Sequence, residues 1–456
     1  MSDTTGVSTT ASGDDGSTLP LTLLEEALLH LQEARAQWNV QLEIGTDHHV
    51  EEAEFRKAVL SCCRRHPLAR ARLAPWKRLE SSYHWDVMDE LDLDPVRVVD
   101  CPDSAALDRI RAEILTPPLE LDASPVMRVI LARRPGGDLV LLSVSHLIAD
   151  GVGAVRLMQS ITRAYRGEPD PPDPLPIAQA RDLGSFLAPK TRGEKWSRQW
   201  EGLRRVREAF DAPSRIAVVG GSDQDGFGFV FRVLDIGENT TPGLLQRESG
   251  TTINDVLIAA LHLTVAAWNS EQDVPTDRIG VMMPINVRPS DRFWEVVSNI
   301  TSMVTVSTSP EDRADLATAT AAVSEQTTEV RRADRANGLY DLLDATKKTP
   351  LVLKRLAPRL LPHTGDRFVD TAMLSNLGRI PEPPALEADS STGQPELGPP
   401  ELWFSPPCDP TCSVAIGIAT CGTRLSLVTR YRHEQFDAPA AERFTDLFIG
   451  RLTGEQ

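Results

Sequence analysis

Apolar residues recur at helical intervals through residues 21–36 (LTLLEEALLHLQEARA), and the run that follows at 38–44 (WNVQLEI) reads as a strand. Residues 51–66 predict a second helix. Its first turn is acidic and Arg64 and Arg65 close its last turn, which complements the helix dipole until Pro67 stops it. A strand is expected over 68–73. Residues 125–131 and 139–146 flank an Arg-Pro-Gly-Gly turn and predict a hairpin, whose second strand is a continuous apolar run ending at His146. The chain then turns through 147–153. Residues 154–167 place Val155, Leu157, Met158, Ile161, Ala164 and Tyr165 at helical spacing.

Residues 168–176 (EPDPPDPLP) cannot be regular structure, because each proline fixes φ and removes a donor, so this stretch is a candidate linker. Beyond it the pattern resumes with a strand at 227–236, a helix opening at Thr252-Ile253-Asn254-Asp255 and running to Trp268, and a buried strand at 278–287. Thr252 reads as the cap of that helix, with Asp255 favourable in its first turn. Residues 381–400 read as a surface loop, 413–432 as a hairpin around Cys421-Gly422-Thr423, and 440–452 as a closing helix. Residues 1–18 are Ser, Thr, Gly and Asp with little to bury, and read as a disordered tail. Four segments follow: the tail at 1–18, a first half at 19–180, a crossover at 181–214 and a second half at 215–456.

At 456 residues the chain exceeds the ~250–300 residues at which one core stops growing, which favours two units. The net charge of −17 excludes a general grip on nucleic acid. Six cysteines, scattered apart from the adjacent Cys62 and Cys63, form neither a disulfide framework nor a zinc pattern; the nearest metal spacing, Cys408 and Cys412 with Cys421 beyond, has no companion histidines. No metal site is expected. With no apolar span or signal peptide in view, a cytoplasmic location is the expectation. The basic island at 347–359 is broken by two prolines, and reads as a solvated face over the core rather than a contact for a membrane, coenzyme A phosphates or an acidic carrier protein.

The residues that carry chemistry are Ser145-His146-Leu147-Ile148-Ala149-Asp150-Gly151. A histidine held where a buried strand turns can present one ring nitrogen to a cavity, and an aspartate four residues on can brace the loop. By itself such a pair is more often structural than catalytic. The segment resembles the HHxxxDG signature of the coenzyme A-dependent acyltransferase superfamily, which includes chloramphenicol acetyltransferase, condensation domains and wax ester synthases. His146, Asp150 and Gly151 match the second His, the Asp and the Gly, and Ser145 stands where the first His would be. Three more blocks resemble that superfamily in the right order: the Thr252–Trp268 helix, Pro284-Ile285-Asn286-Val287-Arg288-Pro289, and Leu374-Ser375-Asn376-Leu377-Gly378.

The resemblance implies a mixed α/β fold of two chloramphenicol acetyltransferase-like half-domains that form a V with a tunnel between them. It implies an acyltransferase that moves an acyl group from a coenzyme A or carrier-protein thioester to a hydroxyl or amine, in specialised or lipid metabolism. His146 would be the general base, Asp150, Gly151 and Arg288 would brace the loop, and Asn376 and Ser375 would orient the acceptor or the oxyanion. The thioester is a co-substrate, and no tightly bound cofactor is implied. Expected partners are an alcohol or amine, and acyl-coenzyme A or an acyl carrier protein, with the chain acting as a monomer. An amide-forming condensation enzyme and a non-catalytic docking module for carrier proteins are the competing readings.

Overall fold

The computed structural model describes residues 18–34, 38–115, 119–189, 191–194, 196, 198, 212–236, 250–289, 294–332, 338–356, 370–386, 401–408 and 412–454. The expected tail falls almost entirely outside this set. Its last residue begins a short strand, β1 (Thr18–Pro20), which pairs with β4 (His84–Val87), itself paired with β3 (Ala71–Leu73). The strand expected at 68–73 is therefore half replaced. Pro67 starts a single 3-10 turn over Pro67–Arg70, since its fixed φ and missing N–H suit a first helical position, and only Ala71–Leu73 extends.

The first half is built on a five-stranded sheet in the order β12-β2-β7-β6-β5. Its members are β2 (Asn39–Gly45), β5 (Val96–Asp100), β6 (Met127–Arg134), β7 (Gly137–Ser145) and β12 (Leu402–Ser405). β6 and β7 form the hairpin, closed by Pro135-Gly136 with Gly136 at φ 85°, the Pro-then-positive-φ order of a type II turn. Every residue of β7 is buried, so its apolar run has no polar face to show. The helices Glu52–Arg65 and Gly151–Arg166 cover this sheet, and Phe55, Val59, Leu157, Met158 and Ile161 join Val40, Leu42, Val140 and Leu142 in the first core.

The second half carries a six-stranded sheet in the order β10-β9-β11-β13-β14-β8. These are β8 (Phe227–Asp235), β9 (Ile279–Asn286), β10 (Thr301–Thr308), β11 (Ala372–Arg379), β13 (Val414–Cys421) and β14 (Arg424–Arg432). The helix Ile253–Glu271 packs on it through Leu257, Leu261, Val265 and Trp268, beside the closing helix Ala438–Thr453. Thr252 and Asp255 form a reciprocal capping box at the start of Ile253–Glu271.

The two halves are stitched together by the chain itself. β12 follows the second sheet's β11 in sequence yet pairs antiparallel with β2 of the first, Leu402 opposite Ile44 and Ser405 opposite Gln41. It passes so close to β13 that a methyl group on Gly417 would lie 2.1 Å from the Phe404 carbonyl oxygen. The proline-rich stretch after Arg166 has no regular structure but is tied down. Asp170 accepts from buried Arg156 at 2.8 Å and from Arg163 at 3.0 Å, and Arg65 forks onto Asp173 at 2.9 and 3.0 Å.

Candidate active site

His146 sits one residue past β7, at the base of a cavity of roughly 140 Å³ whose walls come from both halves. Leu24, Leu28, Trp38 and Val40 line it from the first half, and Pro284, Asn286, Met303, Met373, Ser375 and Asn376 from the second. The ring's Nδ1 lies 3.2 Å from the Ala149 carbonyl oxygen. A carbonyl can only accept, so Nδ1 carries the proton and Nε2 is left as a lone-pair base. Among the described residues Nε2 has no hydrogen-bond partner, and His146 keeps part of its surface open on the cavity wall. Burial lowers the imidazole pKa from its ordinary value, outweighing the opposing pull of Asp150. The ring is therefore neutral near pH 7.

Asp150 points away from that base. It is the N-cap of Gly151–Arg166, accepting from the Gly153 amide at 2.9 Å. Arg288 forks onto the same carboxylate at 2.6 and 2.9 Å, and the Ile300 amide and Thr301 hydroxyl add one hydrogen bond each at 2.9 Å. Burial would raise this carboxyl's pKa, but Arg288 and the other donors outweigh it and hold the group below the usual carboxylate range. Arg288 also donates to the Ser298 carbonyl at 2.6 Å. The signature loop of the first half is thus clamped by Arg288, Ser298, Ile300 and Thr301 of the second.

Gly151 stands where the helix start meets the opposite half. A methyl group there would lie 2.6 Å from Leu377 Cδ2 and 3.0 Å from the Phe404 ring. The Gly151 and Val152 amides open a sixteen-residue helix, and among the described residues neither has a partner. Asn376 accepts from the Gly378 amide at 2.8 Å through Oδ1, which turns its NH₂ the other way. Ser375 is 8% exposed on the same wall, whereas Ser145 is fully buried, its hydroxyl accepting from the Leu147 amide at 3.3 Å. The structure brings His146, Asp150, Gly151, Ser375, Asn376 and Arg288 into one neighbourhood.

Residues 26–354 match the sequence profile of the condensation domain. The chain belongs to the condensation-domain family. An uncharacterized protein of Mycobacterium tuberculosis, Rv2305, is 33% identical over 440 residues, which is 95% of this chain and 99% of that protein. The first condensation domain of the calcium-dependent antibiotic synthetase, solved with a substrate analogue, superposes with a TM-score of 0.68 at 13% identity, covering 96% of each chain. The epimerization domain from the third module of tyrocidine synthetase B gives 0.63 at 16% identity, covering 97% of each. These likenesses establish the fold of two chloramphenicol acetyltransferase-like halves, and the superfamily read from the signature stands.

Trp38, Asn299 and Thr301 of this condensation domain's site lie outside the signature blocks. Asn299 reaches from the second half to donate to the His146 carbonyl at 2.9 Å, while the His146 amide donates to the Trp38 carbonyl at 2.7 Å. Asn286 accepts from the Arg288 amide at 2.9 Å, which leaves its buried NH₂ without a partner among the described residues. Asn286 was visible within the Pro-x-Asn-x-Arg-Pro block. Asn299 and Thr301 carry no comparable signal. The described residues contain no cluster of metal-ligating side chains, and the Cys408 and Cys412 thiols donate to the carbonyls of Cys412 and Val414. No described helix is long and apolar enough to cross a membrane.

Proposed function

We propose that the chain is an acyltransferase that moves an acyl group from a coenzyme A or carrier-protein phosphopantetheine thioester to a hydroxyl or amine, with His146 as the general base. One observation carries the reading: a neutral imidazole, its Nδ1 proton committed to the Ala149 carbonyl, holds Nε2 open to a cavity shared by both halves. Nε2 takes the proton of the acceptor's O–H or N–H as that atom attacks the thioester carbon. The new bond leaves a tetrahedral oxyanion. The unpartnered amides at the start of Gly151–Arg166, aided by the helix dipole, and the NH₂ of Asn376 are its donors. Collapse breaks the carbon–sulfur bond, and the thiolate recovers the proton from His146.

Asp150 and Arg288 hold the loop and take no part in the proton's path. Its five hydrogen bonds are all accepted from groups other than His146, which argues against a relay. The likeness to domains of peptide synthetases supports a carrier-bound donor and an amine acceptor, so amide formation is included within the proposal.

The test is thiol release from a panel of acyl thioesters, short and long, on coenzyme A and on phosphopantetheinylated carrier protein, with alcohols and amines as acceptors. His146→Ala is expected to stay folded and lose ~10²–10⁴-fold in turnover. Full activity in that variant with the right pair of substrates would remove His146 from the mechanism. Carrier-protein binding with no thiol release by the wild type across the panel would instead favour the docking-module reading.

A further inference from the structure

Eleven large hydrophobic side chains are exposed among the described residues, and five of them, Leu79, Leu342, Val352, Leu353 and Leu356, lie in just two stretches of chain. Backbone hydrogen bonds join these stretches. The Leu351 amide donates to the Glu80 carbonyl at 2.8 Å and the Val352 amide to the Arg78 carbonyl at 3.3 Å, which puts the loop carrying Leu79 beside the short helix Leu351–Lys354. Leu79 is 84% exposed and Leu353 53%. These side chains are absent from the lining of the His146 cavity and of the clefts around Cys62, Asp173 and His66.

The charges around them favour one sign. Lys77, Arg78, Lys347 and Lys348 are exposed at the rim, and the Arg355 guanidinium lies 4.5 Å over the Trp76 ring. Against these stand Glu80, which accepts from the Lys77 amide, Asp344, which pairs at 2.8 Å with Lys347, and Asp341 beside Leu342, which pairs at 3.5 Å with Arg198. Lys354 and Arg355 fit a solvated face over the core, Lys354 with its stem buried and its ammonium 2.6 Å from Glu26, and Arg355 half-buried over Trp76. In a chain of net charge −17, a cationic rim around outward-pointing aliphatic tips is a local reversal.

We propose that this patch docks the protein on an anionic membrane surface, with the aliphatic tips entering the acyl boundary and the cations meeting lipid headgroups. Projecting single side chains need no complementary pocket in a fluid bilayer, whereas a folded partner would have to supply one. The surface is distinct from the cavity of His146, so docking is separable from catalysis.

The experiment is co-sedimentation of the full chain with vesicles of phosphatidylcholine alone and of phosphatidylcholine mixed with phosphatidylglycerol. Wild type is expected to pellet with the mixed vesicles and to be released as salt rises. Leu79→Glu combined with Leu353→Glu is expected to weaken binding by about tenfold or more, with an unchanged circular dichroism spectrum and thermal midpoint because both side chains are exposed. Lys347→Glu with Lys348→Glu is expected to erase the preference for anionic vesicles. Wild type left in the supernatant with both vesicle types, or binding indifferent to the leucine substitutions, would overturn the proposal. So would a leucine variant that loses affinity for an acidic carrier protein while wild type ignores vesicles, since the patch is then a protein dock.

Discussion

Removing either member of the Asp150–Arg288 pair leaves the other charge buried: the Arg288 side chain is 0% exposed and that of Asp150 3%. Asp150→Ala and Arg288→Ala are each expected to cost ~3–5 kcal/mol of stability, read from denaturant midpoints. A relay role would look different, with turnover lost at nearly unchanged stability. Asp150→Asn keeps an oxygen for the Gly153 amide but loses the charge facing Arg288, so it should fall between wild type and alanine. The signature itself was legible because His146, Asp150 and Gly151 lie within six residues of sequence. The grip on it was legible only in part. Arg288 stood in a recognisable block, while Asn299 reaches His146 across 153 positions with no local pattern to mark it.

Elements with a strong internal period emerge from sequence close to their observed bounds, and those defined by a neighbour do not. β7 is buried along its whole length and carries an apolar run over Leu139–Leu142, and Gly151–Arg166 keeps its apolar residues at helical spacing even though Val152 through Thr162 are buried on every face. β1 and β3 are three residues long and β12 is four, too short for a period to register. β12 exists because the edge of β2, remote in sequence, pairs with it, and Gly417 leaves room for its Phe404 carbonyl beside β13. The same strand makes Gly151 a structural choice. Gly151→Ala drives a methyl group against Leu377 and Phe404 across the seam between the halves, with an expected cost of ~1–3 kcal/mol from overpacking. Thermal unfolding checks this directly. Pairing it with Phe404→Leu should recover part of the loss if the ring is what the methyl group meets, and recover nothing if strain in the helix cap is responsible.

Across the molecule, histidines buried in neutral form outnumber the one at the cavity. His262 is enclosed in the second core, its ring nitrogens 3.0 Å from the Ile258 carbonyl and 3.2 Å from that of Val306, and burial pulls its pKa down to about 4. His66, beside Ser160 at 2.8 Å, is pulled down to about 3 by burial and by Arg156, and His30, beside Tyr83, to about 4 by burial, Lys354 and Arg355. Each has a folded pKa below its unfolded value of ~6.5, so the unfolded chain binds more protons as pH falls beneath that point and stability declines toward pH 4. Each such group contributes a slope of up to ~1.4 kcal/mol per pH unit in that window. Relief of charge repulsion works the other way, since acidification carries a chain of charge −17 toward its isoelectric point near 5.1. Those surface charges are screened over ~8 Å at physiological ionic strength and the buried imidazoles are not, so the histidines should win. The thermal midpoint is therefore expected to fall steadily from pH 6.5 to 4, with no maximum near 5.1. His262→Gln, which keeps a donor for one carbonyl and cannot titrate, should flatten that fall; an unchanged slope would mean that the buried imidazole is not what acid acts upon.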